Sequence, residues 1–185
     1  MWPTPALRRE ALERLGGLLD RVAVWNARID LTAARSEREL VDLYLADALV
    51  LAAHGASNPL APGERWVDVG SGAGAPGLAL GLLWLAPRAP VHVSEARSQA
   101  VAAQSHDVAI SRATFSPAEW LREGARLARR RVWVLIARAE PPELDGWSCQ
   151  TPVDYEWPLT QAPRRALAYV PDGGTPASGT PAAAE

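Results

Sequence analysis

Residues 65–77, Arg-Trp-Val-Asp-Val-Gly-Ser-Gly-Ala-Gly-Ala-Pro-Gly, constrain this chain more than any other segment. A short apolar run feeds into closely spaced glycines and then into a stretch of Leu and Ala, which reads as a strand, a tight turn and the opening of a helix. A second strand is expected over Val91–Glu95, ending in an acid. Glycines let backbone approach a ligand closely, and an acid after the next strand can accept hydrogen bonds from ribose hydroxyls. The layout is therefore that of a nucleotide-type cofactor site; the plainer alternative is a tight connection between strand and helix.

A chain of 185 residues is long enough for one domain with a real core and short for two. Net charge is −2, so the bulk electrostatics do not announce a nucleic-acid binder, and any RNA contact must be local. All 19 basic residues are arginine, which removes lysine Schiff-base chemistry. Cys149 is the lone cysteine, and His54, His92 and His106 have no metal-ligand spacing, so neither a disulfide nor a metal is expected. The N-terminus lacks the pattern of an export or membrane segment, which predicts a cytoplasmic protein.

Leu7, Ala11, Leu15, Leu18, Val22, Trp25 and Ile29 recur at helical steps behind a start at Thr4-Pro5. Trp25, Ile29 and Leu31 are expected in the core. Ser36 and Glu39 form a capping box for a second helix running to about His54, and Gly55 to Gly63 reads as a linker. A helix over Pro76–Leu85, stopped by Pro87 and Pro90, follows the glycine turn. Val108–Ser111 is a strand, Ser116–Glu119 a capping box with proline at the first helical position, and Val132–Ala137 another strand. This alternation argues a parallel α/β sheet. Thr151–Trp157 and Ala166–Val170 suggest a C-terminal antiparallel hairpin, and from Pro171 onward the composition predicts disorder. The domains are then a helical cap (1–60), a Rossmann-like domain (64–170) and a tail (171–185).

Gly72, Gly74 and Gly77 match dinucleotide spacing, while Gly70, Gly72 and Gly74 match the G-x-G-x-G of S-adenosylmethionine methyltransferases. Asp68 favours the second. A carboxylate just before the turn would repel a pyrophosphate at the helix N-terminus, whereas it suits a cofactor carrying a sulfonium and an ammonium. Glu95, as an acceptor-only group, would take both ribose hydroxyls.

Trp25-Asn26, Ile29-Asp30-Leu31-Thr32-Ala33, Leu45-Ala46-Asp47-Ala48-Leu49, Asp68 to Gly77 and Asp107-Val108-Ala109-Ile110-Ser111-Arg112-Ala113 occur in that order. Over roughly residues 10–170 the chain resembles the glucose-inhibited division protein B group, bacterial methyltransferases of guanine N7 in small-subunit (16S) ribosomal RNA. The resemblance implies a Rossmann-like class I methyltransferase sheet with a helical cap and a C-terminal hairpin, S-adenosylmethionine as cofactor, small-subunit ribosomal RNA as partner, and a monomer. It puts Gly70, Ala75, Glu95 and Arg112 where family members hold the cofactor. The pattern departs from the family at Asp30 (asparagine there), Tyr44 (histidine), Ala75 (a large apolar residue) and Arg138 (lysine nearby). Residues 96–106 stand where the family has a helix, a further strand and the adenine-holding residues, so the sheet is expected to be trimmed by an edge strand. Such a linker can extend to roughly 36 Å, enough to return along one strand. The alternatives are a non-catalytic member with a damaged pocket, or a small-molecule methyltransferase.

Guanine N7 carries a free lone pair, so methyl transfer to it needs positioning rather than a general base, and the base must be unstacked. Arg112 is expected at the carboxyl edge of the sheet, lining the pocket or ion-paired to Asp68 or Glu95. Asp47 is a candidate for the pocket or for a solvated or capping role; Asn26 and Tyr44 remain open. Arg122, Arg126, Arg129, Arg130 and Arg131 form a basic run that reads better as a solvated helix end at the amino edge than as a phosphate surface, and Arg164 and Arg165 are a second candidate RNA contact.

Overall fold

The apolar runs after residue 64 assemble into one mixed sheet. In the computed structural model, which describes residues 9–54, 64–82, 91–150 and 152–173, strands β1 (Trp66–Val69), β2 (His106–Ser111) and β3 (Ala128–Ile136) pair in parallel in that order. Beyond β3 the sheet turns antiparallel: β6 (Pro163–Pro171) pairs β3 on one side, and β4 (Trp147–Cys149) and β5 (Val153–Glu156) on the other. β5 and β6 are the expected hairpin, whereas β4 was not foreseen.

Helix α4 (Pro117–Leu127) begins at the capping box, with both reciprocal bonds between Ser116 and Glu119 formed. It buries Trp120, Leu121 and Leu127 on one sheet face, each stabilising by roughly 1.5–3 kcal/mol. Close approach is possible because Gly124 lacks a Cβ, which would stand 2.6 Å from Val132 Cγ1. The other face packs against α1 (Arg9–Ile29), α2 (Glu37–His54) and the short α3 (Gly77–Leu80) through Leu15, Tyr44, Leu51, Leu80, Ile110 and Trp133. Ser36 Oγ caps α2 by accepting from Glu39 N (3.2 Å), but the Glu39 carboxylate accepts from Arg35 N rather than from Ser36 N.

Three expectations are corrected. Trp25, Ile29 and Leu31 are not core: they are 50%, 60% and 38% exposed. The inner stripe of α1 runs Ala11, Leu15, Leu18, Val22 and then takes a four-residue step to Asn26, whose amide bonds Ala34 O (3.2 Å) and Thr32 N (2.6 Å) to close the turn after the helix. Asp30, in that turn, has φ 50°, a conformation that Asn and Asp tolerate better than most residues. Second, Val91–Glu95 is not a strand: residues 91–97 are exposed and unpaired among the described residues. Val91 and Val93 offer only a narrow apolar edge, and among the described residues no strand lies beyond β1. The trimmed sheet therefore ends on β1 itself, one strand earlier than expected. Third, β3 starts at Ala128, so Arg129, Arg130 and Arg131 lie in the strand and not at a helix end.

Residues 98–105 run along the amino edge. Arg126 donates to Ser98 O (2.7 Å) and Val101 O (2.9 Å), and Gln104 Nε2 donates to Ala125 O (2.8 Å) and Ala128 O (3.1 Å). Tied there, the linker builds no wall at the carboxyl edge. The expected helix start at Thr4-Pro5, the linker 55–63, the stop at Pro87 and Pro90, and the tail beyond Gly173 lie outside the described residues.

Candidate functional site

β1 ends in a turn that its glycines make possible. Gly70, Gly72 and Gly74 have φ of 71°, 51° and 103°, the left-handed region where a side chain is strained. At Gly77 the demand is for space instead, since a Cβ would stand 2.5 Å from Asp68 Oδ2. That oxygen accepts from Gly77 N at 2.9 Å and so ties the end of β1 to the start of α3.

Asp68 Oδ1, by contrast, is shut from solvent and has no hydrogen-bond partner. Burial pushes the Asp68 carboxyl up to about 7, against the Gly77 N–H and the Arg112 charge, which pull it down. Arg112 follows β2 on the same carboxyl edge, and its Nε is likewise buried without a partner. Its NH1 lies 3.9 Å from Asp47 Oδ2. Asp47 is 1% exposed and accepts from Tyr155 OH (2.8 Å) and Trp157 Nε1 (3.0 Å), so α2, the β5–β6 hairpin and Arg112 meet at one carboxylate. Tyr44 donates to Ala73 O (2.8 Å) in the turn, and burial pushes its hydroxyl up to about 12 against the Arg112 charge. Ser111 Oγ donates to Val69 O (2.7 Å), fixing the adjacent strand ends.

An unpaired buried carboxylate oxygen and an unpaired buried guanidinium nitrogen, each close enough to feel the other's charge, cost several kcal/mol unless a ligand satisfies them. What completes them is a group with a cation for Asp68 and an acceptor for Arg112, such as the ammonium and carboxylate of an amino acid. A pyrophosphate would meet Asp68 with like charge.

Of the residues expected at the site, Asp68, Gly70, Gly72, Gly74, Ala75 and Arg112 are brought together. Glu95 is not: it is exposed, with no hydrogen bond or ion pair to the turn among the described residues. Arg112 is nearest Asp47 rather than ion-paired to Asp68 or Glu95. The basic run is engaged at the amino edge, Arg126 with Glu123 (2.8 Å), Arg129 with Asp107 (2.9 Å) and Arg130 with Glu64 (3.5 Å).

Asp42, Tyr155 and Trp157 were missed. Asp42 is fully buried and accepts from Leu159 N (3.1 Å), Thr160 N (2.8 Å) and Thr160 Oγ1 (2.7 Å), docking the β5–β6 turn on α2. A signal existed. Asp42 and Asp47 lie in the apolar run Leu40 to Leu51, and carboxylates surrounded by apolar neighbours are buried and paired.

A family model described as GidB, rRNA small subunit methyltransferase G, matches residues 11–102. Three similar proteins share the name ribosomal RNA small subunit methyltransferase G. That of Halorhodospira halophila is 47% identical over 73 residues, covering 40% of this chain and 32% of the relative. That of Anaeromyxobacter dehalogenans is 32% identical over 155 residues, 67% and 66% of the two chains. That of Roseiflexus castenholzii is 33% identical over 134 residues, 72% and 48%. The chain thus spans less than two thirds of the length of these curated relatives. Taken with the glycine turn, Asp68 and Arg112 on the carboxyl edge of the parallel strands, these matches show that the chain belongs to the GidB family.

Proposed function

We propose that this protein is an S-adenosylmethionine-dependent methyltransferase of guanine N7 in small-subunit ribosomal RNA, acting in the cytoplasm. The observation that carries the reading is the pair of buried, unsatisfied groups beside the glycine turn, Asp68 Oδ1 and Arg112 Nε. Asp68 would hold the ammonium of the cofactor and Arg112 its carboxylate, with Gly70, Gly72, Gly74 and Ala75 giving backbone access and residues 1–60 capping domain 64–170. When bound, the cofactor supplies a methyl group on a sulfonium, open to in-line attack by a lone pair. Guanine N7 has that lone pair, so the work of the protein is to hold two partners in line and exclude water. Asp47 assists by ion-pairing the Arg112 guanidinium through NH1, which leaves Nε for the ligand.

One observation favours a second reading, a non-catalytic member. Glu95, the group expected to take the ribose hydroxyls, lies exposed on an unpaired segment. Calorimetric titration with S-adenosylmethionine, followed by transfer of a labelled methyl group to 30S subunits, separates the two. Saturable binding and label in guanine N7 are expected. Absence of binding by the folded protein would leave the non-catalytic reading standing, and binding without transfer to RNA would redirect the search to small-molecule acceptors.

A further inference from the structure

On the same carboxyl edge, two to four strand spacings or roughly 10–19 Å from the glycine turn, lies a cleft of about 590 Å³ over the ends of β3 and β5 and the start of β6. That volume is in the range of small-ligand sites. Its wall carries Arg138 and Glu140 from the loop after β3, Glu156 from β5, and Arg164 and Arg165 from β6. The charges are not equivalent. Arg165 is held by Asp154 across the strands, Nε to Oδ1 2.5 Å and NH2 to Oδ2 3.2 Å. Arg164 lies with its guanidinium carbon 3.8 Å above the centre of the Trp157 ring, so one planar face is covered and its orientation is set before any ligand arrives. Arg138 is exposed and has no ion pair or hydrogen bond among the described residues.

We propose that this cleft seats a guanine nucleotide of the acceptor RNA, with Arg164 stacking on the base, Arg138 pairing with a phosphate, and Glu140 and Glu156 facing the base edge. The inference rests on the ribosomal RNA methyltransferase reading and extends it to a place and a specificity. A guanidinium plane supported on tryptophan is a stacking platform for an unstacked base. A cation with no carboxylate of its own suits a phosphodiester. The carboxylates would be out of place in a site for backbone alone, because they repel it. They are in place for guanine, whose N1–H and N2–H donors lie side by side and match an acceptor-only carboxylate. Adenine offers an acceptor at the same edge. Recognition from that edge leaves N7 free to face the cofactor.

The test is fluorescence anisotropy of the full chain with short single-stranded RNAs that differ in a single G or A, across a salt series. The wild type is expected to prefer G. Arg138→Ala and Arg164→Ala should each weaken binding about fivefold or more, and Arg138→Ala should lower the salt slope by about one. Glu140→Gln with Glu156→Gln should erase the preference for G, while Arg122→Ala on the exposed side of α4 should change nothing. RNA binding unaffected by Arg138→Ala and Arg164→Ala, or no RNA binding at all, overturns the inference, as does a preference for G that survives loss of both carboxylates. If these dependences hold but no methyl group is transferred, the cleft stands and the methyltransferase reading falls; if transfer occurs and the variants are silent, the reverse.

Discussion

At the amino edge of the sheet Arg126, Arg129 and Arg130 each face a carboxylate, whereas at the carboxyl edge Asp68 Oδ1 and Arg112 Nε are buried and face no partner. The strands are the same at both ends, so the difference does not come from the sheet. It comes from what each end does. Charges at the amino edge replace the contacts of a shortened linker: Arg126 holds residues 98–101, and Asp107 joins Arg65 N (2.9 Å) to Arg129. At the carboxyl edge Asp42 and Asp47 are satisfied by the β5–β6 hairpin and Asp47 also lies 3.9 Å from Arg112 NH1, whereas Asp68 Oδ1 and Arg112 Nε stay available to a ligand. Satisfied charge marks structure here, and unsatisfied buried charge marks the candidate site.

The framework is where the comparison is easiest to break. Asp42→Ala strips three acceptor contacts from the β5–β6 turn and leaves two backbone N–H groups unpaired, which should cost about 3 kcal/mol and lower the melting temperature by roughly 6–12 °C. A thermal melt reads it. A loss near zero would mean that the hairpin does not depend on α2. Asp107→Ala should cost less, about 1–2 kcal/mol, since the site is partly open. Its Arg129 hydrogen bond chiefly holds the Asp107 carboxyl below its ordinary value. The stability this provides is present above the unfolded-state value near 4 and is lost as pH falls through the lower folded one. Denaturant titrations should therefore show wild type and variant converging in acid, and a constant gap across pH would sink the ion-pair account.

The parts of this molecule that were legible in the sequence are those set by local chemistry. The glycine turn needs positive φ at named positions, and Ser116 with Glu119 closes its box within one helical turn, so both could be read from spacing alone. Where a choice depends on a distant partner, spacing misleads. Trp25 and Asn26 are both plausible inner residues after Val22, and the turn closed by Asn26 decides between them. Arg129 to Arg131 look like a helix end until Asp107 from β2 and Glu64 from the segment before β1 meet this run inside β3. Glu95 follows from reading Val91–Glu95 as a strand beside β1, but the linker that follows it is bound along the amino edge by Arg126 and Gln104, and the segment stays unpaired among the described residues. At Asp47 the apolar neighbours carry a signal for burial that a choice between pocket and solvent does not use, and nothing local marks its partners Tyr155 and Trp157.

The effect at Asp68 is the sharpest on the comparison, because its sign is reversed. Burial raises the Asp68 carboxyl to about 7, so between roughly 4 and 7 the folded protein binds a proton that the unfolded chain does not, and wild-type stability falls as pH rises through that window. Asp68→Asn removes the titration while leaving a carbonyl oxygen to accept from Gly77 N. The variant should match the wild type near pH 4 and be the more stable of the two at pH 8, the opposite of losing a carboxylate at the amino edge. Its gain should vanish where the wild type has its ligand. An ammonium beside Asp68 lowers that carboxyl again, so the wild type should be stabilised by S-adenosylmethionine more strongly as pH rises through 7, and the variant should lose that part of the response. Paired melts with and without cofactor at pH 6 and pH 8 measure both. If Asp68→Asn is destabilised at pH 8 without cofactor, Asp68 belongs with the satisfied charges of the amino edge, and the distinction between the two edges fails at its central residue.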